Sequence, residues 1–149
     1  MRQWGDWLDL LGRALLGTTF IYWGARKLVD VLGIGAPDQG GWTGYMEARG
    51  VAGELLPLVI LTELGGGLLL LIGFKNRYAA IALAGFCILA NWFFHTGFDL
   101  PSPVGHFNWV IFIKNFAVAG GLLVLAGRGA GAYSLDGRVG ARGRESVNA

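Results

Sequence analysis

Charge is what this chain has least of. Only 15% of its 149 residues are Asp, Glu, Lys or Arg, and 54% are hydrophobic. Soluble domains carry roughly a quarter charged residues, so this balance, with a mean hydropathy of +0.51, points to a membrane protein. There is one cysteine, Cys87, which excludes an intramolecular disulfide and any dithiol redox pair within the chain. Histidine is as scarce: His95 and His106 do not suffice for a dedicated metal site or a bis-histidine haem. Absent too are a nucleotide-binding loop, a nucleophile elbow, metal-ligand spacing and any repeat of 20–50 residues. The start, MRQWGDWLD, carries acids and tryptophans and does not read as a removable signal peptide.

What is present is apolar helix. Four stretches approach or reach the roughly 20 residues needed to cross a bilayer: Leu8–Leu28, Leu55–Phe74, Tyr78–Phe94 and Phe107–Ala126. A glycine-rich loop separates the first two, and the basic turn Lys75–Arg77 joins the second to the third. The segment TGFDLPSPVGH, with two prolines, stops the third. These spacings predict an all-α, integral membrane four-helix bundle over residues 1–136. A polar cytoplasmic tail follows over 137–149. Basic residues collect on one side: Arg2, Lys75, Arg77, Arg128, Arg138, Arg142 and Arg144. The other side's loops hold Asp30, Asp38, Glu47, Glu54 and Asp99. Positive charge marks the cytoplasmic face, so both termini are expected inside and the loop between helices 1 and 2 outside. Trp4, Trp7, Trp42, Trp92 and Trp109 fall near the expected interfaces.

Polar residues interrupt the apolar helices in a pattern. Arg13, Gly17, Phe20, Gly24 and Lys27 recur at steps of three and four and form one stripe, on which the glycines admit a close neighbour. Glu63 shares a face with Gly66 and Gly67; Cys87, Asn91 and His95 align on the third helix, and Asn108, Phe112, Asn115 and Ala119 on the fourth, with Lys114 about 100° round from Asn115. By depth, Lys27, Glu63, Asn91, His95, Lys114 and Asn115 all fall in the outer half of the bilayer, and Arg13 in the inner half. Simpler roles exist for most of them. Lys27 can snorkel to the headgroups, His95 can end its helix, and the asparagines can bridge helices. Cys87 reads as a small buried hydrophobe, and the glycines as close-packing surface. Glu63 lies too deep for an unpartnered charge, so it is expected to be protonated, paired with Lys27 or Lys114, or facing a hydrated pocket.

The segments GRALLGTTFIYWGARKL, TELGGGLLLLIGF and GGLLVLAGRGAGAYSLD together resemble the DoxX family of small bacterial membrane proteins, from about Leu8 to Asp136. GRGAGAYSLD departs from the family pattern in lacking a proline before Ser-Leu-Asp. The resemblance implies four transmembrane helices in the bacterial cytoplasmic membrane. It implies an activity only loosely: some members are associated with quinone-linked oxidation, others with redox-stress complexes or assembly.

Two functions follow as expectations. In the first, the chain is a quinone- or small-redox-ligand-binding subunit. Glu63 and His95 then act as catalytic proton relays, Lys27, Asn91, Lys114 and Asn115 line the ligand site, and Phe93, Phe94, Trp109 and Phe112 wall it. Arg13, Gly17, Gly24, Gly66 and Gly67 are structural on this reading. No cofactor is evident in the sequence and quinone is the class the site suits. Electrons would come from a partner redox protein. In the second, the chain is a non-catalytic scaffold or assembly subunit whose polar cluster fixes helix register and whose loop residues Trp42, Tyr45 and Met46 form the docking surface. A cavity shared by Glu63, His95 and Lys114 favours the first; filled packing with a direct Lys27–Glu63 pair favours the second. Partners are the lipid bilayer and either a redox protein or further copies of the chain. The basic tail GRVGARGRES lies nearer lipid headgroups than nucleic acid.

Overall fold

The computed structural model describes residues 2–34 and 41–139. Among these there is no strand. Helix α1 spans Arg2–Val31 and α2 is a short turn of helix, Trp42–Glu47. Then come α3, Gly53–Ile72, α4, Asn76–Phe94, and α5, Val104–Arg128. The chain is helical again over residues 135–139. Helices α3, α4 and α5 are long and apolar enough to cross a membrane. α1 is the longest helix, at 30 residues, but carries more charge along its length.

Helices α1, α4 and α5 run further than the apolar stretches suggest, while α3 is shifted two residues earlier. α1 begins six residues before Leu8 and ends three after Leu28. No proline or helix-stopping glycine interrupts it, so helix continues through polar residues at both ends. The loop after it also holds more order than its glycines imply, in the form of α2. Residues 35–40 of that loop and 140–149 of the tail, including Asp38, Arg142 and Arg144, lie outside the described residues.

Each boundary has a local cause. Pro57 sits in the first turns of α3, where its missing N–H costs nothing. Gly73 ends α3 in the left-handed region, φ 67°. There Phe74 N–H donates to Leu69 O at 3.0 Å and Gly73 N–H to Leu70 O at 3.1 Å, the paired bonds of a Schellman motif. Lys75, also left-handed at φ 47°, turns the chain directly into α4. One irregularity falls inside a helix: over Leu61–Gly65, α3 widens into a π turn, with Glu63 at its centre.

α3 packs chiefly on α1 and α4, and α5 chiefly on α4. The stripe Arg13, Gly17, Phe20, Gly24, Lys27 is buried throughout. Gly17 and Gly67 meet at a crossing so close that a Cβ on either would stand 2.8 Å from the other's carbonyl oxygen. A Cβ on Gly24 would stand 2.6 Å from the Leu64 backbone nitrogen. Gly66 faces the opposite way, against Leu83 of α4. The core proper joins Phe20, Leu70, Leu83, Cys87, Leu122 and Leu125. A second, smaller cluster of Met46, Leu56 and Ile60 sits under α2.

Candidate functional site

At the end of the bundle that carries α2, the Lys27 ammonium donates to Glu63 Oε2 at 2.6 Å. Both residues are buried, at 8% and 5% exposure. The π turn adds one residue to that turn of α3 and so sets the direction in which Glu63 leaves the helix. Aromatic rings close over the lysine: its nitrogen lies 4.6 Å from the centre of the Trp42 ring and 5.9 Å from that of Trp23. This is a buried ion pair with a cation–π lid.

The lid is held by its own contacts. Asp30, one turn beyond Lys27, accepts from the Trp42 backbone N–H at 2.9 Å and so occupies the start of α2. Tyr45 stacks on Phe94 with ring centres 5.5 Å apart, and Trp42 meets Tyr45 edge to face at 5.9 Å. Arg49 donates to Phe94 O at 2.6 Å, which satisfies a carbonyl at the end of α4. Met46 is buried below. Of the expected docking surface, Met46 is therefore withdrawn from solvent, and Trp42 and Tyr45 are half-buried. They are turned down onto the bundle because the short α2 brings their apolar faces against Leu56, Ile60 and Phe94.

The other residues expected beside Glu63 are divided among three places. Asn91 and Asn115 bridge α4 and α5: Asn115 Nδ2 donates to Asn91 Oδ1 at 2.9 Å, and Asn91 Nδ2 to Phe112 O at 2.9 Å. His95 follows α4 immediately, its backbone N–H bonded to Asn91 O. Burial is the main cause holding the His95 pKa below its ordinary value; the cations of Arg49 and Lys114 push the same way, and Asn108 opposes them. Lys114 is exposed on α5 and makes no hydrogen bond to either asparagine, though its charge reaches His95. The two best-formed hollows lie elsewhere. One, about 430 Å³, is an apolar groove along Leu28, Ile60, Leu64 and Gly65; the other, about 240 Å³, lies by Ile72, Tyr133 and Arg138. A pocket shared by Glu63, His95 and Lys114 is not among them.

The opposite end holds Arg13, expected to be structural, together with Ser134 and Asp136, to which the sequence assigned no role. Arg13 is fully buried and donates to Leu70 O and Leu71 O at 3.2 Å each, and to Tyr133 O at 2.5 Å. Asp136 accepts from the Lys75 and Asn76 backbone N–H groups, both at 2.9 Å, and caps α4 from sixty residues away. Ser134 Oγ donates to Gly131 O and accepts from Gly137 N–H. The Ser-Leu-Asp motif was legible as a pattern. Its role was not, since the helix that Asp136 caps begins sixty residues earlier in the chain.

The chain matches the DoxX family profile over residues 8–96, more than half its length. It is 42% identical over 136 residues to the inner membrane protein YqjF of Escherichia coli K12, covering 91% of this chain and 95% of that one. To the inner membrane protein YphA of the same organism it is 28% identical over 133 residues, 88% of this chain and 89% of that protein. No solved structure matches. With its apolar helices and these relatives, the chain is an inner-membrane protein and belongs to the DoxX family.

Proposed function

We propose that this chain is a non-catalytic scaffold subunit of a membrane complex, a bundle of four membrane-crossing helices with both termini in the cytoplasm. α1 serves as the fourth span despite its charge. Arg13 and Lys27 are turned into the protein and hydrogen-bonded there, so they cost the helix little against lipid. The observation that carries the reading is the direct Lys27–Glu63 pair under its aromatic lid. Such a pair fixes the register of α1 against α3, and with Asn91–Asn115 between α4 and α5 it accounts for most of the polar cluster without chemistry.

A quinone-binding role, with Glu63 and His95 as relays, would need α2 to lift and the ion pair to part before a headgroup could enter. The two readings separate on substitution. Under the scaffold reading, Glu63→Gln leaves Lys27 buried without its counter-charge and lowers stability by about 3–5 kcal/mol, on the scale of broken buried pairs. Adding Lys27→Met restores it. Melting in detergent is the measurement, with extraction of bound quinone alongside. A Glu63→Gln protein that melts with the parent but loses quinone would overturn the scaffold reading in favour of the ligand site.

A further inference from the structure

Lys114 lies near the middle of α5, ten residues from its first residue, Val104, and hence about 15 Å along the helix. It is exposed. Among the described residues nothing accepts a hydrogen bond from it and no carboxylate pairs with it. An exposed ammonium without a counter-charge at that depth is costly in a bilayer, and such residues mark a partner or a pathway. Among the described residues the counter-charge is already committed: Glu63 is the one acid away from the ends of the helices, and Lys27 holds it at 2.6 Å. The remaining described acids are at the ends, with Asp6, Asp9 and Asp136 at one and Asp30, Glu47, Glu54 and Asp99 at the other.

The flank around Lys114 is open to a helix. α5 packs along α4 and touches α1 only lightly. Ala117 and Gly121 follow Lys114 on the same face, at small-residue spacing that lets backbones approach. A Cβ on Gly120 would meet nothing, and one on Gly121 only the tip of Leu16 at 3.9 Å. Val110, Ile113 and Val124 supply exposed apolar contact to either side.

A second copy is the wrong occupant. Two copies in one membrane share an orientation, so a two-fold contact through this face would set Lys114 against Lys114 at equal depth. We propose that this flank of α5 receives a transmembrane helix of a different protein, one that places an aspartate or glutamate opposite Lys114. This rests on the scaffold reading and names the chemistry of what the scaffold holds.

The test uses the full-length protein in phosphatidylcholine vesicles with designed Leu-Ala transmembrane peptides of about 22 residues. One peptide carries a single glutamate at the depth of Lys114, one a leucine there, and one a lysine. Energy transfer between labels reports association. The glutamate peptide is expected to bind at least roughly tenfold more tightly than the other two. Lys114→Met should remove that preference, Lys114→Arg should retain it, and Lys114→Glu should transfer it to the lysine peptide. Equal association of all three peptides would overturn the proposal, and so would no association, with Lys114 then snorkelling to lipid phosphate. Parent protein that pairs with itself in place of the peptide would overturn it as well. Since Lys114 is exposed, each variant should melt with the parent. The Lys27 and Glu63 variants report on the scaffold reading separately, because they alter the core and leave this face unchanged.

Discussion

At the level of single residues, both ends of the bundle use the same device. A distant aspartate fills the start of a helix whose own preceding residue offers no cap. Asp30 does so for α2, and Asp136 does so for α4, where Lys75 stands in the left-handed region and contributes no side-chain bond. A carboxylate accepting two backbone N–H groups at a helix start gains from both the hydrogen bonds and the helix dipole. Asp136→Ala should therefore cost about 1–2 kcal/mol and Asp136→Asn less, since the amide keeps one acceptor. Both are read as melting temperature in detergent. Parent-like melting of the alanine variant would show that the cap is idle.

Among the elements, the α1–α3 contact dominates the site. It is built from glycine on both sides, Gly17 and Gly24 against Gly67 and the Leu64 backbone, and this close approach brings Lys27 within reach of Glu63. Gly24→Leu drives a side chain into α3 backbone, which cannot yield as a flexible side chain would, so the helices must part. Val29→Leu, at an exposed position two residues beyond Lys27, is the matched control. Gly24→Leu should prevent recovery of folded protein in detergent while Val29→Leu behaves as the parent. Equal stability of the two would mean that the crossing is not as close as it stands here.

For the whole molecule, the proposed orientation puts the Arg13–Asp136 end in the cytoplasm and the α2 lid outside, because Lys75, Arg77, Arg128 and Arg138 gather at the former. Cysteines at Ala48 and Lys75, both exposed, report it in a Cys87→Ala background. Intact cells treated with a membrane-impermeant thiol reagent should label position 48 and spare position 75. The reverse pattern would turn the bundle over and carry Lys27, Glu63 and Lys114 to the cytoplasmic half.

The sequence by itself determined the helical class, the membrane setting, the family and the buried stripe on α1. These depend on composition, on apolar run length and on helical periodicity, all of which are local. It also narrowed the partners of Glu63 to Lys27 or Lys114, since depth forbids a lone charge. Only the tertiary structure decided between them. That choice depends on which helices are neighbours and on the direction imposed by a π turn, and neither leaves a trace in residue spacing. The same is true of α2, whose Trp42, Tyr45 and Met46 look like a free surface in a glycine-rich loop and are instead folded over the ion pair. It holds for Asp136, whose helix begins sixty residues earlier in the chain. For Lys114 the spacing already showed a rotation of about 100° from Asn115; the structure added that Asn115 is turned toward α4 and that Lys114 is exposed.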